Sequence, residues 1–346
     1  MENLLSLNEL RRLVIDKGLC AACGGCVGGC PYLVAFRGNT VVLDACVVEN
    51  GSCYAACPVI PPDYTQLLGL VFKEPFQLTG IGMYHSIMAS KAADENVAVA
   101  GQGGGTVTAI IMYALENGFI DSAVLTSVSE YGSFPAGVVA ETISDVRSCA
   151  ESKYVGAHSL SALRRALDMG KKAIGVVGLP CQVLSVRKTM LADIKQEGLR
   201  HRIKFLVGLF CNWAFSARQF TAFMADRFPG TLIKRVHIPP PPANCLEVET
   251  DGGITAVSLE DVRGFIQAAC RRCPDMTSEL ADVSVGMFEG RPGWNTLVVR
   301  SDFGREVVGK AIKSGVLETD VFPEANLAHL ESASRQKKQR SGQPQS

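Results

Sequence analysis

Residues 20–31 read Cys20-Ala-Ala-Cys23-Gly-Gly-Cys26-Val-Gly-Gly-Cys30-Pro31. Three cysteines at this spacing are typical of thiolates that bind one 4Fe–4S cluster, and a fourth followed by proline is typical of a ligand to a neighbouring cluster. The intervening glycines allow the backbone to turn tightly around a cluster. Zinc usually requires only paired Cys-x-x-Cys motifs, so the third cysteine favours iron–sulfur chemistry. The stretch therefore predicts an iron–sulfur segment and makes electron transfer the leading functional hypothesis.

An incomplete second copy of this motif follows. It reads Cys46-Val-Val-Glu-Asn-Gly-Ser-Cys53-Tyr-Ala-Ala-Cys57-Pro58 and lacks one cysteine. In two-cluster ferredoxins the last cysteine of each motif binds the other cluster. By that exchange we expect two ligand sets: Cys20, Cys23, Cys26 and Cys57 for one cluster, and Cys30, Cys46 and Cys53 for the other. The missing thiolate leaves alternatives open: Glu49, Asn50, water or a partner residue as fourth ligand, a three-iron cluster, or no second cluster, with Cys46 and Cys53 as small buried side chains.

Bulk composition excludes several function classes. The 346 residues carry a formal net charge of zero, which gives no long-range field for nucleic acid, and we expect no nucleic-acid partner. No apolar run reaches the roughly 18 residues that a membrane-spanning helix needs. The cysteines cluster in ligand-like motifs and no signal peptide is recognisable, so we expect a reducing cytoplasm. Any membrane association would then come through a partner.

The rest of the chain alternates apolar strands with amphipathic helices, which is typical of an α/β protein. Candidate strands are Val97–Ala100, Ser122–Ser127, Val138–Thr142, Ala173–Gly178, Ile203–Phe210 and Thr296–Arg300. Candidate helices are Thr106–Asn117, Leu160–Met169, Gln182–Met190, Ala217–Phe228 and Gly304–Ser314. The turn Asp251-Gly252-Gly253 favours a hairpin over residues 245–258. We expect a mixed α/β body, preceded by a small ferredoxin-like α+β iron–sulfur domain over 1–61 and followed by a disordered basic tail over 331–346.

Four further cysteines lie downstream. Cys181 and Cys211 each follow a candidate strand, and Cys270-Arg-Arg-Cys273 is a Cys-x-x-Cys motif. Functional residues of α/β proteins commonly lie at the carboxyl ends of strands, so these four cysteines are potential cluster ligands. The Cys-x-x-Cys motif alone is also compatible with redox-active or zinc-binding thiols. We expect Cys149 and Cys245 to occupy ordinary packing or surface positions.

A glycine-rich turn precedes the first long candidate helix. The segment Gly101-Gln-Gly103-Gly104-Gly105-Thr106-Val-Thr108 departs from the dinucleotide-binding fingerprint, which requires glycine where Thr106 stands. A glycine-lined helix N-terminus nevertheless suits a phosphate group. The alternative is a plain tight turn beside a packed helix.

From Gln102 to Asp121 the sequence resembles the opening motif of the beta subunit family of coenzyme F420-dependent hydrogenases and dehydrogenases. Further matches follow in order: Ser152-Lys153-Tyr154, Gly178-Leu-Pro-Cys181-Gln182, Leu206-Val-Gly-Leu-Phe-Cys211, Cys270-Arg-Arg-Cys273, Glu279-Leu-Ala-Asp282-Val-Ser284 and Gly293-Trp294-Asn295-Thr296. The cysteine-rich segment is similar to that of formate dehydrogenase and membrane-complex members.

The resemblance implies one FAD per chain, a nearby 4Fe–4S cluster and hydride exchange with coenzyme F420. It assigns residues 80–155 to an FAD-associated region and 156–330 to an iron–sulfur/flavin domain. Carried over by motif, the cluster ligands are Cys181, Cys211, Cys270 and Cys273. The residues expected at the flavin are Gly103, Gly104, Thr106, Thr108, Lys153 and Tyr154. Together with the N-terminal motif this gives two clusters, and a third if the incomplete copy binds one.

The partners implied are other subunits of a hydrogenase, formate dehydrogenase, F420H2 dehydrogenase or heterodisulfide reductase type complex. A deazaflavin exchanges hydride whereas a cluster passes one electron, and a flavin connects the two modes. Hydride transfer demands no catalytic base, so no side chain receives a catalytic role. Three alternatives stay open: the same cofactors with NAD(P)H, ferredoxin or a small organic molecule as donor or acceptor; a pure ferredoxin-like relay; and a structural zinc protein.

Overall fold

The computed structural model describes residues 6–72, 79–127, 134–193, 197–239 and 242–342. The helices in these ranges are α1 (Leu7–Leu10), α2 (Ser52–Ala56), α3 (Tyr64–Val71), α4 (Glu95–Ala100), α5 (Thr106–Glu116), α6 (Ile143–Ser148), α7 (Ser161–Asp168), α8 (Pro180–Ala192), α9 (Leu199–Arg202), α10 (Ala217–Arg227), α11 (Leu259–Arg263), α12 (Asp302–Lys313) and α13 (Glu324–Arg340). A π-helical turn, Arg11–Ile15, continues α1, and a 3-10 turn spans Ala268–Arg272.

The strands are β1 (Leu33–Phe36), β2 (Asn39–Val42), β3 (Ser86–Ala92), β4 (Ser122–Ser127), β5 (Ala136–Ala140), β6 (Ile174–Gly178), β7 (Ile203–Leu209), β8 (Ile233–His237), β9 (Cys245–Thr250), β10 (Gly253–Ser258), β11 (Val283–Met287), β12 (Asn295–Val299) and β13 (Leu317–Asp320). Eight of them form one mixed sheet in the order β13-β3-β12-β11-β7-β6-β4-β5. Its central strands β11, β7, β6 and β4 are parallel, and the flanking strands are antiparallel. The mixed α/β fold class expected from the sequence is confirmed.

Helices cover both faces of the large sheet because its central strands are apolar on both sides. On one face α5 and α12 pack against Phe205 and Val207 of β7. On the other face α7 and α8 pack against Leu206 of the same strand. The alternation along β7 therefore supplies both cores at once.

A smaller antiparallel sheet, β10-β9-β8, lies beside the body. The predicted hairpin is confirmed, because Gly253 pairs with Thr250 and Ser258 pairs with Cys245. An aromatic cluster that includes Phe215 and Phe220 packs with this sheet and α10. This arrangement brings the end of β8 to the glycine-rich turn.

The N-terminal cysteine-rich segment has its own small core. Leu7, Leu10 and Val14 pack with Leu33 of the β1–β2 hairpin, and cysteines line the same cluster. The segment contacts the body directly, since the Leu160 N–H donates to the Cys23 carbonyl at 3.1 Å. The ferredoxin-like character of this part stays a prediction.

Two expectations from the sequence are wrong. Residues 97–100 belong to helix α4 rather than to a strand, because the Asp94 side chain accepts the Asn96 N–H and caps a helix there. The predicted disordered tail is instead the end of α13 as far as Arg340, with Leu330, Ser334 and Lys337 buried. Residues 343–346 of that predicted tail lie outside the described ranges.

Candidate cofactor-binding site

A cavity of about 490 Å³ opens at the carboxyl ends of the parallel strands. Its walls include Thr126 near the end of β4, Gly178 at the end of β6, Cys211 after β7 and Met287 at the end of β11. The carboxyl edge of a parallel sheet is where α/β proteins bind ligands, because the loops there diverge and leave a crevice. The volume lies within the range of cofactor and ligand pockets.

The glycine-rich turn and the start of α5 form one wall of this cavity. Gly105 is the N-cap of α5 with a φ of 71°, and a Cβ there would lie 2.3 Å from the Val97 carbonyl oxygen, so only glycine fits. Thr106 and Thr108 line the cavity, as does Gly105. The Thr106 hydroxyl is buried and lies 3.0 Å from that of Ser90.

Gly103 and Gly104, also expected at the flavin, line a neighbouring cavity of about 580 Å³ on the other side of the turn. Both residues have positive φ, and a Cβ on Gly104 would lie 2.4 Å from the Gly293 carbonyl oxygen. Among the described residues, that second cavity is lined by Lys91, Arg235, His237 and Trp294 together with several carboxylates. The structure therefore brings four of the six predicted flavin contacts to the first cavity and two to the second.

Lys153 and Tyr154 lie on the opposite wall of the first cavity. The Lys153 ammonium donates to the Ala150 carbonyl at 2.9 Å, and burial lowers its pKa. Tyr154 adopts a positive φ of 48°, which is a strained conformation for a bulky residue. Cys149 packs against the core, as expected from the sequence, and also lines this wall.

Gln102 joins the two walls, a role that the sequence did not reveal. Its amide nitrogen donates to the Val236 carbonyl at 2.8 Å, and its amide oxygen accepts the Ser152 N–H and the Tyr154 hydroxyl, both at 3.2 Å. The Tyr154 hydroxyl in turn accepts the Ile238 N–H. One side chain thereby fixes the glycine-rich turn, the Lys153-Tyr154 segment and strand β8 relative to one another.

The downstream cysteines form what we name the third cysteine group, Cys181, Cys211, Cys270 and Cys273. Burial raises the pKa of Cys181 well above its usual value, and the neighbouring thiols of Cys273, Cys211 and Cys270 raise it further. Burial likewise raises the pKa of Cys211 to about 12. Cys211 also lines the cavity, so this group borders the cavity.

The seven N-terminal cysteines predicted as ligands interact electrostatically within two sets. In the first cysteine group (Cys20, Cys23, Cys26 and Cys57), burial raises the pKa of Cys23 to about 12, with further contributions from Cys57 and Cys20. In the second cysteine group (Cys30, Cys46 and Cys53), burial raises the pKa of Cys53 to about 11, with further contributions from Cys30 and Cys46. The members of each group are therefore close enough for their charges to interact.

The three groups also adjoin one another. After burial, the largest contribution to the raised pKa of Cys181 comes from Cys23, which links the third group to the first. Cys53 contributes to the raised pKa of Cys26, which links the first group to the second. Charge interactions between thiols thus connect the third group, which borders the cavity, to the first group and the first group to the second.

The donor set fits iron–sulfur clusters. All thirteen cysteines are free thiols. Within each group, deprotonation of one buried thiol disfavours deprotonation of its neighbours, and bound iron would supply the compensating positive charge. Across the described ranges, no set of three or more His, Cys, Asp or Glu side chains closes on a single metal ion.

Gly24 allows the loop of the first cysteine motif to pack closely against His158 of the α/β body. Its φ is 85°, and a Cβ would lie 2.6 Å from the His158 carbonyl oxygen. Gly18 has a similar φ of 65° with nothing within 4 Å of a Cβ, so it provides a matched control. We expect Gly18→Ala to cost about 1–2 kcal/mol through backbone strain alone. Gly24→Ala should cost more than about 3 kcal/mol, because the clash adds to the strain.

Thermal unfolding midpoints of the two alanine variants, compared with the unaltered protein at one scan rate, measure this difference. Equal midpoints for Gly18→Ala and Gly24→Ala would show that the loop does not pack tightly against His158.

Comparison with known proteins gives two consecutive family matches. Residues 87–164 match the N-terminal model of the coenzyme F420 hydrogenase/dehydrogenase beta subunit, and residues 171–325 match its C-terminal model. Together they cover more than half of the chain. No described helix is both long and apolar enough to cross a membrane.

Individual relatives agree with these matches. The chain is 29% identical over 263 residues to coenzyme F420 hydrogenase subunit beta of Methanothermobacter thermautotrophicus, covering 75% of this chain and 93% of that protein. It is 30% identical over 324 residues to the coenzyme F420-dependent sulfite reductase of Methanocaldococcus jannaschii, covering 90% of this chain but only 48% of that protein.

A solved structure is similar as well. A chain of the F420-reducing NiFe hydrogenase complex from Methanosarcina barkeri superposes with a TM-score of 0.71 at 28% identity, covering 78% of this chain and 93% of that one. The match in sequence and the match in fold agree. This chain belongs to the coenzyme F420 hydrogenase/dehydrogenase beta subunit family.

Proposed function

We propose that this chain is an FAD- and iron–sulfur-containing oxidoreductase subunit that exchanges hydride with coenzyme F420 and passes single electrons to or from a partner subunit. One observation carries the proposal: Cys211 belongs to the third cysteine group and also lines the cavity at the carboxyl edge of the sheet. An electron leaving a cofactor in that cavity has a cluster site at the cavity wall.

The first cavity supports FAD as its occupant. The N-terminus of α5 opens into it behind a glycine N-cap, and backbone N–H groups at such a terminus bind phosphate oxygens. Lys153 on the opposite wall provides a cation, and the apolar side chains of Leu125, Ile111 and Val177 exclude water. When bound, FAD supplies the exchange between two-electron hydride transfer and one-electron transfer.

The order of the cysteine groups supports an electron path. The third group borders the cavity, the first group adjoins the third, and the second group adjoins the first. Next to Cys46 of the second group, Val47 is 92% exposed and Val48 is 55% exposed. We expect the partner subunit to receive or deliver electrons at this end.

The assignment of coenzyme F420 as the hydride partner is based on the similarity to family members. The relative from Methanothermobacter is named a coenzyme F420 hydrogenase subunit, and the similar structure belongs to an F420-reducing hydrogenase complex. A hydride moves between two stacked rings without a catalytic base. Within the described ranges, the residues around the cavity accordingly bind and shield rather than transfer protons.

A second candidate keeps the cofactors but uses another acceptor. The similarity to a coenzyme F420-dependent sulfite reductase spans 90% of this chain, so a family member of this kind also serves reduction of a small substrate. The two candidates differ in the electron acceptor and share the electron donor.

The donor is tested with the isolated chain, loaded anaerobically with FAD, iron and sulfide. We expect F420H2 to bleach the flavin absorbance at least about 100-fold faster than NADH or NADPH, equivalent to about 2.7 kcal/mol in the barrier. Faster bleaching by either nicotinamide would contradict the F420 assignment, while leaving the cofactor content intact.

A further inference from the structure

Lys337 lies in the segment where the sequence predicts a disordered tail, yet its side chain is only 4% exposed. From α13 its ammonium donates to the Cys211 carbonyl at 2.6 Å and to the Asp275 carbonyl at 2.7 Å. The Asp275 carboxylate instead accepts the N–H groups of Thr277 and Glu279. Lys337 forms no salt bridge with a carboxylate in the described part of the chain.

Lys188 repeats this arrangement at the first cysteine group. It lies on α8, two turns after Cys181, and is 8% exposed. Its ammonium donates to the Cys57 carbonyl at 2.6 Å and to the Ile60 carbonyl at 2.7 Å. Both lysines therefore come from helices distant in sequence, and each holds the carbonyl of one cysteine expected to bind a cluster.

A buried ammonium is costly unless negative charge compensates it, and lysine is among the residues least often buried. Backbone carbonyls supply only partial charges. The charge of each lysine acts on a neighbouring thiol. Burial raises the pKa of Cys211, and Lys337 opposes that increase. Burial also raises the pKa of Cys57, and Lys188 opposes that increase. Asp275 opposes Lys337 at Cys211, since its charge raises the pKa of that thiol. Neither lysine has a carboxylate in salt-bridge contact among the described residues, and cysteine-bound iron–sulfur clusters would supply compensating negative charge.

We propose that Lys337 and Lys188 set the reduction potentials of the clusters held by the third and first cysteine groups. This inference rests on the proposed function. Reduction adds one electron to a cluster and transfers no proton, so a fixed ammonium stabilises the reduced form more than the oxidised form. Each lysine thereby makes its cluster easier to reduce, and by holding a ligand's carbonyl it is a positioning residue for that ligand.

The test is a redox titration of the loaded full-length chain, followed by electron paramagnetic resonance. We expect Lys337→Gln and Lys188→Gln each to reduce the equilibrium constant for reduction of one cluster at least tenfold, about 59 mV for one electron. Lys337→Gln should shift the signal of one cluster and Lys188→Gln that of another. Neither variant should shift the signal that the other variant affects. Lys337→Arg and Lys188→Arg, which keep the charge, should stay within about twofold of the unaltered protein, roughly 18 mV.

Arg340→Gln is the matched control, because it removes the same charge from the exposed side of α13 and should shift neither signal. The inference is overturned if the glutamine variants titrate like the unaltered protein, or if the arginine variants move as far as the glutamine variants. If a glutamine variant fails to assemble its cluster, the arginine variant at that position decides. Its equilibrium constant for reduction should still lie within about twofold of that of the unaltered protein. Absence of iron and acid-labile sulfide from the unaltered protein would instead contradict the proposed function.

Discussion

Replacing Cys211 with alanine should separate hydride transfer from electron delivery. Cys211 is expected to bind the cluster nearest the cavity, so the variant loses the first step of the electron path while the other residues that line the cavity remain. We expect F420H2 still to bleach the flavin. Electron delivery to a one-electron acceptor such as a viologen should fall at least about 100-fold, equivalent to about 2.7 kcal/mol in the barrier.

Cys245→Ala is the control for this prediction. Cys245 begins β9, away from the three cysteine groups, and it tests whether any cysteine substitution disturbs the protein. Stopped-flow absorbance gives the flavin step and steady-state viologen reduction gives the delivery step. Unimpaired delivery in Cys211→Ala would mean that electrons leave the flavin by another route.

Filling the cavity should remove the flavin and spare the clusters. Thr108 is half-buried on the first turn of α5 and lines the cavity, so the indole of Thr108→Trp would occupy space that the isoalloxazine or phosphate needs. We expect FAD in fewer than about one in ten chains, because a closely packed site does not accommodate the added volume. Iron content should be unchanged, since no cysteine is touched.

Thr231→Trp places the same side chain at an exposed position and should bind FAD normally. Extracted flavin and iron per chain measure both outcomes. A full complement of FAD in Thr108→Trp would exclude this cavity as the flavin site.

Motif spacing identified the residues of the candidate site, because the cysteine and glycine motifs are short patterns that are recognisable in the sequence alone. The exchange of last ligands predicts two groups among the seven N-terminal cysteines, and thiols within each group raise one another's pKa. The central strands were also predictable, since β4, β6 and β7 each contain a short apolar run. The roles of the cysteines as cluster ligands stay predictions.

Contacts between distant residues could not be predicted from the sequence in the same way. Gln102 meets Val236 across 134 positions, and nothing near either residue signals the contact. A short apolar run such as 97–100 is ambiguous between strand and helix, and the Asp94 cap decides it. In α13, high polarity concealed the buried residues Leu330, Ser334 and Lys337, although their spacing is that of one helix face.

These missed features matter for function. Gln102 holds together the walls of the cavity, and Lys337 contacts the carbonyl of the cysteine that joins the cavity to the third group. The chemistry-bearing residues are therefore visible in the sequence, whereas the residues that position them and adjust their electrostatics emerge only from the fold.

The most direct test of the account is to count the electrons that the loaded chain accepts from F420H2 without oxygen. A flavin takes two electrons and each 4Fe–4S cluster takes one, so we expect about four electrons per chain with two clusters and about five with three. Flavin absorbance and the paramagnetic signals of reduced clusters should change together. Uptake that stops at two electrons with the clusters still oxidised, or a chain that holds neither iron nor flavin, would contradict the account.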